Sequence, residues 1–258
     1  MLALLVSVPF LYALRIPQDG LTCKVTPPVI EMGAFYNGTA VRVEGTAEAG
    51  SQVIVAVAGP DSEEHFKKKI HAGPIWLTAG VVRISRVPSA FLRFSTGPVR
   101  TMLRGESIAL HDLDEEYLMR QMHIEPRAPD AASDTAIRAS YLALKKSEGI
   151  YDFADGAIRT GKAGERLAFS LEFAWPKKAP PAEYQVRVYE VRDGAVIRGL
   201  DVPIEVVRTG FPAWLAGLAQ NQSSLYGLIA VITGVLAGFG IDFLTTRLFG
   251  RKRGASAH

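Results

Sequence analysis

The residues best equipped for chemistry lie between His65 and Trp76, where His65, Lys67, Lys68, Lys69 and His71 crowd ahead of Gly73-Pro74-Ile75-Trp76. Cations on a loop can hold an oxyanion, and a glycine lets the backbone approach it. Lys67, Lys68, Lys69, His71 and Trp76 are therefore the candidate ligand-binding residues. A solvated basic loop balanced by Glu63 and Glu64 explains the same composition. Met119, Met122 and His123 fall at i, i+3 and i+4. On one helix they would share a face, and thioether plus imidazole suits Cu(I) outside the cytoplasm. Methionine packing in a core accounts for them more simply, so no metal is assigned. The patterns GxSxG, HExxH, Walker A and GxGxxG do not occur. No catalytic residue and no cofactor is assigned, and the expectation is a protein that is not an enzyme.

Charge placement narrows the class. The chain carries a formal net charge of +3, which would suit nucleic acid only if it formed a patch. Residues 1–23 hold Arg15 and Asp19, which cancel. Beyond residue 208 the charges are Asp242, Arg247, Arg251, Lys252 and Arg253, which account for the whole excess. Residues 24–208 are neutral overall, so nucleic acid is not an expected partner. The excess basicity reads as a membrane-topology signal. Cys23 is the one cysteine, which excludes an intrachain disulfide and a CxxC pair. Thr22 before it lacks the small residue of a lipoprotein cleavage site, so Cys23 reads as an ordinary thiol. Asn37-Gly38-Thr39 and Asn221-Gln222-Ser223 have the form of sequons, and Asn-Gly equally suits a turn.

Both ends carry apolar runs. Leu2 to Leu14 is about thirteen residues, short for a span but right for an export signal, which makes residues 1–22 signal-peptide-like. No Lys or Arg precedes the run and no clean small-x-small site follows it, so whether it is cleaved stays open. Leu225 to Leu244 is long and apolar enough to cross a bilayer, giving a transmembrane helix over 225–246. It follows an uncharged interfacial linker, 209–224, containing Phe211, Trp214, Leu215 and Leu218. A basic tail, 247–258, comes after it. The positive-inside rule places that tail in the cytoplasm and the large N-terminal portion in the periplasm of a bacterial inner membrane. Within the helix Gly227, Gly234 and Gly238 are spaced by seven and four and so share a face open to a partner helix, with Asp242 as a polar contact. Ordinary glycine frequency in such helices is the plainer reading.

The elements between these ends are mostly strands. Ala40 to Gly45 alternates apolar and charged, Gly50-Ser51 makes a turn, and Gln52 to Ala58 is rich in valine and isoleucine. Val81 to Ile84 and Ala90 to Phe94 follow, broken by Pro88. Leu167 to Trp175, Glu183 to Arg192 and Ala195 to Val207 continue the pattern. Asp193-Gly194 is a strong hairpin signal, because both residues tolerate positive φ. Two helices interrupt the strands. One spans about 106–124, with Leu110, Leu113, Tyr117 and Ile124 at helical spacing. The other runs over Asp134 to Glu148, capped by Ser133 or Asp134, striped by Ile137, Tyr141 and Leu144, and stopped at Gly149. The expected fold is mainly β: an immunoglobulin-like β-sandwich over 24–208 with a helical insertion about 106–148, plus one C-terminal transmembrane helix. The helices are an insertion or a layer over a sheet edge, and two small domains are the alternative.

The chain resembles the putative transmembrane protein family described chiefly from alphaproteobacteria. The resemblance rests on Gly33-Ala34-Phe35-Tyr36-Asn37-Gly38-Thr39, Gly73-Pro74-Ile75-Trp76, Val87-Pro88-Ser89-Ala90-Phe91, Tyr141-Leu142-Ala143-Leu144-Lys145-Lys146 and Gly210-Phe211-Pro212-Ala213-Trp214-Leu215. It implies a periplasmic domain on one C-terminal helix. It also implies a genomic setting beside sulfite-exporter-type permeases, hence an accessory subunit of a small-anion permease. Self-association through the membrane helix is a further expectation. An envelope binding or sensing module without a transport role is the alternative.

Overall fold

The computed structural model describes residues 20–72, 75–126 and 130–249. The signal-like residues 1–19, Gly73-Pro74 and the tail from residue 250 lie outside the described residues. Two compact units are present: residues 20–30 with 37–206, and residues 31–36 with 207–249.

The chain opens with β1 (Thr22–Thr26), β2 (Val29–Met32), β3 (Ala40–Glu48) and β4 (Gln52–Ala58), continues into a long hairpin of β5 (Asp61–Ala72) and β6 (Ile75–Pro88), and then enters β7 (Phe91–Ser95). Next come α1 (Val99–Met102), α2 (Gly105–Leu110), α3 (Glu115–Gln121), β8 (His123–Glu125) and α4 (Ala131–Ser147). The remaining strands are β9 (Tyr151–Ala154), β10 (Arg159–Ala163), β11 (Arg166–Ala174), β12 (Glu183–Arg192) and β13 (Ala195–Arg208), followed by α5 (Gly210–Asn221) and α6 (Ser223–Phe249).

These strands form a four-stranded sheet, β1-β3-β11-β10, a six-stranded sheet, β2-β13-β12-β4-β7-β9, and a three-stranded sheet, β5-β6-β8. The first two face each other. Val41 and Val43 of β3 are fully buried while Arg42 and Glu44 are exposed, the period of a half-buried strand. Across the gap Phe94 of β7 meets Phe173 of β11 with ring centroids 4.9 Å apart. Phe94 is paired in register with Val55, so Val55 points into the same inter-sheet core. Gly45 lets β3 pack tightly. A Cβ there would lie 1.9 Å from the carbonyl oxygen of Thr22 and 2.5 Å from the Phe169 ring. At the β12–β13 turn Asp193 and Gly194 have φ of 53° and 80°, as a two-residue primed turn requires.

Every residue from Val53 to Val57 is buried. A strand with both faces covered loses its alternation, and the second cover is helical. Ile54, Ala56, Tyr189 and Val191 form one cluster with Val99, Met102, Leu103, Ile108 and Leu113. The helical segment is thus a third layer over the middle of the six-stranded sheet rather than over an edge.

Several expected elements differ. The helix expected over 106–124 is α2, α3 and then β8, because Asp112 adopts φ 59° and Asp114 starts a new helix by accepting from the Tyr117 amide at 2.7 Å. Leu110 is consequently exposed, and Ile124 pairs with Ile84 in a sheet. The cap of α4 is Asp130, which accepts from the Ser133 amide at 2.7 Å, while Asp134 pairs with Arg138 at 2.5 Å. The buried face of α4 carries Tyr141, Leu142 and Lys145, and Leu144 is exposed. Gly149 ends it with φ 69° as expected. The basic stretch at 65–72 is strand rather than loop.

In the second unit α5 is a helix where a linker was expected. After a break at Gln222 comes α6, 27 residues long, or about 40 Å at 1.5 Å per residue. Ser223–Thr245 has a mean hydropathy of 2.0 with none of its apolar window buried. The hydroxyls of Thr233 and Thr245 donate to the carbonyls of Ile229 and Ile241 at 2.8 and 2.9 Å. Both hydroxyls are thereby satisfied within the helix, as a lipid environment demands.

Candidate functional site

The lysine run sits on the β5–β6 hairpin, where Lys67, Lys68, Lys69 and His71 are in register with Val81, Gly80, Thr78 and Trp76. Lys67 is exposed, and the side chains of residues 68–79 lie outside the described residues. The acids expected to balance the run are engaged nearer the hairpin base. Glu63 meets His65 at 3.1 Å and Arg83 at 3.3 Å, and Glu64 meets Lys145 at 2.6 Å.

Lys145 is the centre of a joint between hairpin and helix. It is buried, and its ammonium lies 5.4 Å from the Tyr141 ring centroid. The Tyr141 hydroxyl donates to Glu64 at 3.3 Å, and Tyr151 donates to the Pro88 carbonyl at 2.7 Å. Burial pushes both phenols well above the ordinary tyrosine range. They stay neutral at any physiological pH, which suits a structural clasp rather than acid–base work.

The Met119, Met122 and His123 triad does not form one helical face. Met119 is in α3, Met122 caps it, and His123 begins β8 beside Glu125 at 3.1 Å. The carbonyls of Met119 and Met122 instead accept from Arg138. No cluster of three or more His, Cys, Asp or Glu able to hold a metal occurs among the described residues.

On α6 the structure leaves open space around Gly227, Gly234 and Gly238, with no atom within 4 Å of a Cβ built at any of them. Asp242 lies one turn beyond Gly238 and is exposed. Arg247 lies over the Phe243 ring at 5.2 Å.

One arrangement escaped the sequence reading. Beneath α1–α3, at the β7–β9 edge, lies a cleft of about 830 Å³. Val99, Leu103, Ile108, Leu113 and Phe153 line its apolar part, and Arg93 stands among its polar residues. Arg93 is 8% exposed and pairs with the Asp155 carboxylate at 3.0 Å. Its guanidinium lies 5.5 Å from the Phe153 centroid, and its Nε has no partner. Asp155 is fixed in turn by Ser95 at 2.9 Å. Other acids of the cleft are engaged: Glu115 with Lys146 at 2.5 Å, Glu116 with Arg120 at 3.7 Å, and Asp114 in capping α3. A guanidinium presents five donors, and a buried donor left unmade is costly. The cleft therefore combines an apolar wall with a buried guanidinium, one nitrogen of which has no partner. The sequence signal was a lone charge inside Phe91-Leu92-Arg93-Phe94, a run that is buried throughout.

Residues 20–247 match the family described as "Putative transmembrane protein (Alph_Pro_TM)". The chain belongs to that family. Family membership and α6 together make it a membrane protein with one membrane-length helix near its C-terminus. The match extends from the start of the β body to Arg247, so the helix is part of what the family shares rather than an appendage. No curated protein and no solved structure matches the chain.

Proposed function

We propose that the protein is a single-pass accessory subunit of a bacterial inner-membrane complex. It holds its β-rich body in the periplasm and its basic tail in the cytoplasm, and contacts a polytopic small-anion permease of the sulfite-exporter type through α6. The observation that carries this reading is the character of α6: a 23-residue span of mean hydropathy 2.0 with none of its apolar window buried, bearing an open small-residue face at Gly227, Gly234 and Gly238. Lipid is as apolar as leucine, so specific association in a bilayer comes from close backbone packing and polar contacts. Missing side chains supply the first and Asp242 the second. Orientation follows from Arg247, Arg251, Lys252 and Arg253 on one flank, against an uncharged stretch from Thr209 to Ile241 on the other. Replacing Gly234 and Gly238 together by isoleucine is expected to abolish copurification with the permease while insertion and folding persist. Retained association in that double variant would reduce α6 to a tether.

The Arg93 cleft favours a second reading, an envelope binding module that captures an amphiphilic anion without a transport role. In that case the α6 double variant leaves activity intact and Arg93 carries it.

A further inference from the structure

In the unit that carries the membrane helix, residues 31–36 return to the root of α5. The Thr209 amide donates to the Met32 carbonyl at 3.1 Å, and a Cβ on Gly33 would lie 3.9 Å from the Thr209 hydroxyl. The Tyr36 amide donates to the Gly33 carbonyl at 3.2 Å. That bond closes a turn whose central residues are Ala34 and Phe35. Phe35 is 98% exposed, more than any other large apolar side chain among the described residues. Turn tips ordinarily carry Gly, Pro, Asn, Asp or Ser, each for its backbone or its polar side chain, and phenylalanine offers neither. The ring at the apex of this closed turn is uncovered and free to enter a medium other than water.

The same unit supplies that medium. α5 contains no charged residue, its Trp214 is half exposed, and a single break at Gln222 separates it from the membrane span. An uncharged helix with an exposed tryptophan directly beside a span has the composition of an interfacial segment. A helix lying there would hold Thr209 at headgroup level, and with it the turn whose strand is hydrogen-bonded to Thr209. Glu31 and Arg208, both exposed, flank the region with opposite charges, so headgroup charge supplies no net pull and the apolar ring must.

We propose that the Phe35 turn is a second membrane anchor, its ring inserted at the boundary of headgroups and acyl chains beside α5. This rests on α6 crossing a bilayer and on nothing about partner or orientation. The test uses the full chain in phosphatidylcholine nanodiscs, with Phe35→Cys in a Cys23→Ser background carrying an environment-sensitive fluorophore. Lys162→Cys, at an exposed position of β10, is the control. The expected result is blue-shifted emission at 35 and at least about threefold stronger quenching by nitroxide-labelled acyl chains than at 162, since interfacial groups sit roughly 5–10 Å deep. Raised salt should leave both unchanged. Equal quenching at the two positions would overturn the proposal, and so would a blue shift without lipid quenching, which would mean a protein neighbour. Because the fluorophore is itself apolar, hydrogen exchange on the unlabelled chain is the second measurement. Amides 33–36 should exchange several-fold more slowly in nanodiscs than in Phe35→Ser, and equal exchange in the two chains would overturn the proposal.

Discussion

Glu190→Gln removes one charge from the interior while keeping the shape of the side chain. Glu190 is fully buried on β12. One oxygen accepts from the Glu48 amide at 2.9 Å and the Ser51 hydroxyl at 2.7 Å; the other accepts from Arg198 at 3.1 Å. The carboxylate thereby ties the β3–β4 turn to the β12–β13 hairpin. A carboxamide offers one acceptor oxygen. Keeping it on Glu48 and Ser51 turns its NH₂ toward the Arg198 guanidinium, donor against donor. Arg198 still reaches Glu48 at 2.6 Å, which softens the loss. A hydrogen bond to a charged group contributes about 1.5–3 kcal/mol, so Glu190→Gln should cost about 2 kcal/mol. Glu190→Ala strands the amide, the hydroxyl and the guanidinium together and should cost about 3–5 kcal/mol. At about 2–4 °C per kcal/mol for a chain of this size, the Gln variant should melt roughly 4–8 °C lower. The assay is thermal unfolding of the full chain in detergent, followed by near-UV circular dichroism. A Gln variant melting within about one degree of the parent would refute the reasoning, because the charge would then contribute nothing that a neutral amide does not.

Burial pushes the Cys23 thiol up to about 12, so maleimide at pH 8 should modify the folded chain at least about a hundredfold more slowly than the denatured chain. Equal rates, followed by mass spectrometry, would contradict the placement of Cys23. For the Arg93 cleft, decanoate should bind the full chain while decanol and sulfate bind far less, and Arg93→Gln should weaken decanoate about tenfold or more by removing a charge-assisted contact. Titration calorimetry checks this, and decanoate affinity unchanged in the variant would remove the cleft as an anion site.

What the sequence could and could not disclose follows from how local each signal is. The Asp193-Gly194 turn, the alternation in β3 and the apolar length of α6 are properties of consecutive residues, and each appears where expected. Of the β5–β6 hairpin only Val81 to Ile84 was legible, and β5 was not, because residues 61–67 alternate only between exposed and half-buried. A strand without a buried face over that stretch has no strong hydrophobic period to read, and its lysines and Gly73-Pro74 mimic a loop. The helix expected over 106–124 failed at Asp112, a residue type that tolerates positive φ without announcing it. The Arg93 cleft depends on the parallel pairing of β7 with β9, whose residues lie about sixty positions apart in the chain. Only tertiary structure brings Phe153 and Asp155 beside Arg93, and only there does the charge inside an apolar run find its partners.

The central claim is that α6 anchors the protein with its β-rich body on the outer face of the membrane and its basic end inside. Protease added to spheroplasts tests it most directly, with the fragments read by mass spectrometry. The account predicts digestion of the body between residues 20 and 208 and survival of a fragment containing α6 and the tail. Protection of the body, with cleavage confined to residues beyond Arg247, would contradict it.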